Sequence, residues 1–177
     1  MPAQLHLICG STGAGKTTYA ISLADREAAL RLSIDEWMVS LFGPDQPQQL
    51  DFGWMMERVN RCEQQMWAVT QQVARAGMSV IIDCGLTQAE HRSKWAELAR
   101  SVGLPVRLHF LDIEAEKRWR RVQSRNLERG TTYRLEVTRE MFDFVETLWE
   151  PPNAAEMQAM SGIRVGEDGS RLADDMR

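Results

Sequence analysis

The sequence predicts an α/β fold, a three-layer sandwich with a mostly parallel, five-stranded sheet between helices. Three observations predict it. Short apolar runs alternate with longer helical segments along the whole chain, the pattern of parallel strands joined by crossover helices. A glycine-rich octapeptide stands between the first run and the first helical segment. Cys9, Asp35 and Asp83 fall at or just past the ends of three runs, on the edge where open α/β sheets bind ligands.

The elements run in order. Gln4 to Cys9 is a short apolar run ending at a glycine loop, hence a buried strand. Gly15 to Ala29 has helical composition, with apolar Ala20, Ile21, Leu23, Ala24 and Ala28. Leu30 to Ser33 is a second strand, closed by Ile34-Asp35-Glu36-Trp37. Phe42 to Phe52 holds Gly43, Pro44 and Pro47 and reads as a loop. Trp54 to Ala76 is a long helix stopped by Gly77. Ser79 to Asp83 is a strand ending in a carboxylate, and Gln88 to Val102 is a helix stopped near Gly103 and Pro105. Val106 to Leu111 is a strand, Glu114 to Arg129 an arginine-rich helix ending at Gly130, and Leu135 to Leu148 a helix before Pro151-Pro152. Gly162 to Val165 is a last short strand, and the polar stretch from Gly166 reads as a loose tail. One unit over residues 1–177 is expected.

Composition bounds the function. Net charge is −4, which disfavours an extended nucleic-acid footprint, because phosphate backbones are bound by basic surfaces. No apolar run approaches the ~18 residues a membrane span needs, and no signal-peptide pattern opens the chain, so a cytoplasmic protein is expected. Cys9, Cys62 and Cys84 lack the spacing of a metal site or a disulfide framework. His6 and His109 lie on strands and read as structural, and His91 as an exposed helix residue. The tryptophans read mostly as core anchors.

Gly10-Ser11-Thr12-Gly13-Ala14-Gly15-Lys16-Thr17 matches GxxxxGK[ST] in full. Glycines permit the backbone turns that aim several N–H groups at one anion. The helix beginning near Gly15 adds the positive end of its dipole. These residues, with adjoining Thr18, are expected to hold the phosphates of a nucleoside triphosphate. Lys16 would bridge the β- and γ-phosphates, and the Thr17 hydroxyl would ligate Mg²⁺. The motif identifies the bound group but not the reaction, since GTPases, ATPase motors and small kinases share it.

A kinase also needs a carboxylate to hold the acceptor hydroxyl and take its proton. Asp35 is the candidate base; the alternative is that it caps a helix beginning at Glu36. Asp83 reads as a Walker B-like carboxylate, holding Mg²⁺ or helping to bind the acceptor; the alternative is a turn residue. Arg92 could reach an acceptor phosphate or carboxylate, or simply face solvent. Trp37 and Trp54 could line an acceptor pocket; the alternative is a packed loop. Arg58 is a further substrate-binding candidate. Arg118, Arg120, Arg121, Arg125 and Arg129 crowd one helix. The run is either a solvated helix face or part of a lid over about residues 114–134, which would use Arg125 and Arg129, four apart on one face, to offset charge on the transferred phosphoryl group.

With those motifs in view, the chain resembles the small P-loop kinases grouped with the zeta-toxin, chloramphenicol phosphotransferase and phage polynucleotide kinase families, over roughly residues 4–150. Ser33-Ile34-Asp35-Glu36-Trp37 is similar to their catalytic-aspartate segment. Asp83 to Thr87 with Glu90-His91-Arg92 is similar to the polynucleotide kinase segment after its third strand. Arg125-Asn126-Leu127-Glu128-Arg129-Gly130 is similar to the RNxxRG lid signature. The resemblance implies ATP-dependent phosphoryl transfer to a hydroxyl, with Asp35 as base and Lys16, Arg125 and Arg129 stabilising charge. The leading expectation is a small-molecule acceptor. A 5′-hydroxyl polynucleotide kinase and a regulatory ATPase without acceptor are the alternatives.

Overall fold

In the computed structural model, which describes residues 2–47, 49, 51–128 and 136–172, the first apolar run becomes the central strand. This strand, β1 (Leu5–Cys9), is buried at every residue, as a strand covered on both faces must be. It pairs in parallel with β3 (Val80–Asp83) on one side and β4 (Val106–Leu111) on the other. Outside these lie β2 (Leu30–Ser33), parallel to β3, and β5 (Ile163–Val165), parallel to β4. The order is β2-β3-β1-β4-β5. The register sets Ser33 opposite Asp83, so the segments after β2 and β3 leave the sheet side by side.

Alternation along β1 builds two cores. Leu5, Leu7 and Cys9 face one layer with Met66, Ile82, Trp95 and Leu108. Ile8 faces the other with Tyr19, Ala20, Leu23 and Ile81. The first layer is covered by α3 (Phe52–Arg75) and α4 (Ala89–Ser101), and the second by α1 (Lys16–Glu27). The remaining helices are α2 (Ile34–Phe42), α5 (Ala115–Glu128), α6 (Arg139–Leu148) and α7 (Ala154–Ala159).

His6 and His109 are structural, as expected. His6 Nδ1 lies 2.9 Å from His109 Nε2, whose ring reaches the Tyr19 hydroxyl through Nδ1 at 2.8 Å. Burial pulls both imidazoles down, to about 4 for His6 and about 3 for His109.

Four expectations are corrected. The segment after β2 is a full helix, α2, capped by Ser33, whose hydroxyl accepts from the Glu36 N–H at 3.4 Å. A helix, α7, stands where no element was expected; Asn153 and Glu156 close it with a capping box. Residues 166–172 are not a loose tail. Gly166 N–H bonds Ser170 O at 2.9 Å and Leu172 N–H bonds Arg164 O at 2.9 Å, folding the chain back beside β5. His91 is not simply a solvent-facing residue, since its Nε2 lies 2.6 Å from the buried Glu63, which Lys94 also bonds at 2.7 Å. Burial alone would raise the Glu63 carboxyl, but these two donors hold it below its ordinary range.

Candidate active site

The octapeptide bridges β1 and α1, as its mechanics require. Gly13 and Gly15 take positive φ, 79° and 91°, a region that favours glycine. A Cβ on Gly13 would stand 2.5 Å from the Arg118 carbonyl oxygen, so the loop packs directly against α5. Ser11 is buried beneath the loop. The Lys16 ammonium donates to the carbonyls of Gly10 at 2.8 Å and Ser11 at 3.1 Å. Burial pushes it below the ordinary lysine range, while Asp83 and Asp35 draw it back up.

A cleft of about 790 Å³ opens over this loop. Its floor is Thr12 to Thr18, including Lys16 and Thr17. One end is Asp35, Asp83, Cys84, Gly85 and Thr87. The other is Tyr19, Ser22 and Arg26 of α1 with the turn from Val165 to Gly169. Arg121 and Arg125 line it from α5. One space therefore joins the glycine loop, both carboxylates and Arg125. Gly10 and Ser11, expected with the rest of the loop to hold phosphate, do not line it.

Asp35 is exposed on the first turn of α2. Ser33 fills the cap position that was the alternative for Asp35. Asp83 is buried and accepts from Arg31 Nη1 at 2.9 Å. Burial lifts its carboxyl above the ordinary range, against the pull of Arg31 and Lys16. Arg31 also bonds Glu36 on α2, so one guanidinium ties the Asp35 helix to the Asp83 strand. Arg31 escapes sequence reasoning, because nothing in its alternation on β2 signals two carboxylate partners.

Other sites assigned from sequence sit elsewhere. Arg92 is fully buried. It donates through Nε to Glu156 at 2.8 Å, through Nη2 to Glu156 at 3.2 Å and through Nη1 to Leu86 O at 3.1 Å. It anchors α4 to α7 rather than reading an acceptor. Arg58 stacks 3.9 Å above the Trp54 ring and donates to Trp54 O at 3.0 Å; neither residue lines the cleft. Trp37 packs against the core. Arg129 and residues 130–134 of the expected lid lie outside the described residues. Arg125 is on the cleft wall, and its Nε is buried without a hydrogen-bond partner among the described residues. The next residue, Asn126, donates to Val137 O at 2.8 Å and accepts from Val137 N–H at 3.3 Å, tying α5 to the stretch that leads into α6.

The oxygen donors suit Mg²⁺, which takes hard ligands and usually keeps waters and substrate phosphates in its shell. The Thr17 hydroxyl and Asp83 carboxylate share the cleft. Among the described residues no group of three or more His, Cys, Asp or Glu forms a metal cage, and the Mg²⁺ of phosphoryl transfer needs none. No described helix is long and apolar enough to cross a membrane.

A protein family described as an AAA domain matches residues 5–151. Several solved structures share the fold. Kti12 from Chaetomium thermophilum, in complex with ADP-AlF3, has a TM-score of 0.67 at 18% identity, covering 97% of this chain and 91% of that one. A sugar kinase from Janibacter sp. HTCC2649 gives 0.64 at 19%, covering 96% and 88%. The Mycobacterium tuberculosis APS kinase CysC, in complex with AMPPNP and APS, gives 0.63 at 16%, covering 96% and 91%. No curated protein matches significantly.

Proposed function

Because the chain belongs to this AAA domain family, a P-loop kinase-like group, we propose that it transfers the γ-phosphoryl group of ATP to a hydroxyl of a small-molecule acceptor. The observation that carries this reading is the single cleft in which the glycine loop and Lys16 face Asp35.

The main-chain amides of the loop and the dipole of α1 would hold the triphosphate. Lys16 would exchange its bonds to Gly10 O and Ser11 O for bonds to phosphate. Thr17 and Asp83 would hold Mg²⁺, directly or through water; bound there, the ion draws charge from the phosphates. Asp35 would accept the acceptor proton as the hydroxyl oxygen forms its bond to phosphorus. The bond to the bridging oxygen breaks at the same centre, and ADP leaves with that electron pair. Arg125 would balance charge on the equatorial oxygens. The α1 face and the 165–169 turn would take the nucleoside.

The acceptor end favours a small molecule over a polynucleotide. Its described charged lining is Asp35 and Asp83, and Arg92 and Arg58, the two cations expected there, are committed to other partners. A neutral or amine-bearing polyhydroxyl compound suits that end, since Asp83 is already paired with Arg31 and no described cation lines it to pair a chain of phosphates. The test is a panel of sugars, aminoglycosides, nucleosides and 5′-hydroxyl oligonucleotides with γ-labelled ATP. Label on a neutral or cationic small molecule is the expected result. Label on oligonucleotides alone contradicts the acceptor assignment, and label on nothing contradicts the kinase reading.

A further inference from the structure

The phosphate loop is gripped from behind by a pair of charges that do not reach the cleft. Arg118 of α5 is buried and does not line the cleft. Its Nε donates to Ile113 O at 2.8 Å. Its Nη1 donates to Thr12 O at 3.2 Å and to Glu146 Oε1 at 2.7 Å, and its Nη2 to Glu146 Oε2 at 2.6 Å. Glu146, on α6, also accepts from the Ser11 hydroxyl. The Arg118 fork holds its carboxyl below the ordinary range.

A trans peptide is planar, with its C=O and N–H on opposite sides. The Thr12 carbonyl is drawn back toward α5, so the Gly13 N–H is turned forward, and Gly13 lines the cleft. Arg121, one turn further along α5, does the same for the next such peptide: its Nη1 donates to Ala14 O at 3.2 Å, and Gly15 also lines the cleft. Fixing donors in advance removes the cost of ordering them when the anion arrives.

Resting on the phosphate site proposed above, we infer that Arg118 and Glu146 are positioning residues for that site: they set the direction of the Gly13 amide through the Thr12 carbonyl and the Ser11 hydroxyl. Neither touches the nucleotide. A bidentate arginine–carboxylate pair suits the task, because its fork fixes direction as well as distance. Lysine keeps the charge but cannot hold both Glu146 oxygens and Thr12 O in one plane.

The test uses the full chain and inorganic triphosphate as probe. Calorimetry is run on the wild type, Arg118→Lys, Glu146→Gln and the double variant, with thermal melts beside each. The expected result is about a tenfold loss of triphosphate affinity in Arg118→Lys, the scale of one charge-assisted hydrogen bond. The double variant should lose less than the sum of the singles, as members of one network do. Variants that fold and bind within twofold of wild type overturn the inference, whatever their melting temperature. NMR on the wild type keeps it testable should the variants not fold. On adding triphosphate, the Gly13 and Gly15 amide protons should shift strongly; a Gly13 amide proton that stays in place while triphosphate binds overturns it. A wild type that binds no triphosphate instead removes the phosphate site itself.

Discussion

Asp35 and Arg92 mark the reach of sequence at the scale of single residues. Asp35 is legible because its position after a strand is a local fact, and the structure puts it on the cleft wall. Arg92 is not, because its partner Glu156 is 64 residues away. Nothing near position 92 announces a buried ion pair. Each residue carries a prediction. Asp35→Asn keeps nucleotide affinity within about twofold and loses at least about 100-fold in phosphoryl transfer, the usual worth of a general base; equilibrium binding and labelled-ATP transfer check it. Arg92→Met leaves Glu156 beside an apolar site without its partner, and breaking a buried pair costs about 3–5 kcal/mol. The urea midpoint should fall accordingly, with no selective change in acceptor affinity among molecules that remain folded. An unchanged midpoint with weakened acceptor binding would restore Arg92 to the site.

At the scale of elements, legibility tracks how local the determinants are. The β1–loop–α1 unit is readable in full, since strand, glycines, lysine and helix start adjoin in sequence. The α7 helix escapes notice although its capping box, Asn153 and Glu156, is written in the chain; two preceding prolines mask it. The turn after β5 reads as polar tail because its order comes from bonds to Arg164 and Arg121, not from its own apolar content. The packing of α5 on the loop is also hidden, and it yields a prediction. Gly13→Ala places a Cβ 2.5 Å from the Arg118 carbonyl oxygen, at a positive φ that alanine rarely adopts. Helix and loop must separate, so triphosphate affinity should fall by more than about tenfold and the melting temperature should drop, both read in one thermal-shift titration. Normal affinity would mean that the loop does not rest on α5.

For the whole molecule, the alternation of strands and helices dictates the parallel sheet, and the sheet dictates the functional edge. Alternation cannot supply the chemistry buried between layers. The His6–His109–Tyr19 chain joins β1, β4 and α1, and its pH dependence has a definite sign. Both histidines titrate lower in the folded protein, about 4 and about 3, than the ~6.5 of an unfolded chain. The unfolded state therefore binds more protons between those values. Their contribution to stability is fully present above about pH 6.5 and is lost as pH falls toward 4 and then 3, with a slope of up to about 1.4 kcal/mol per pH unit for each. Urea unfolding from pH 7 to 4 should show this fall, and His109→Gln should flatten it. A curve as steep in that variant as in the wild type would assign the loss to other groups.

The central claim is that one cleft binds a nucleoside triphosphate through Lys16 and directs its γ-phosphoryl group to an acceptor through Asp35. Calorimetric titration of Mg·ATP into the wild type, Lys16→Ala and Asp35→Asn tests it most directly. Saturable binding to the wild type and Asp35→Asn, with none to Lys16→Ala, is the predicted result. No saturation in the wild type, or the same isotherm in Lys16→Ala, would contradict it.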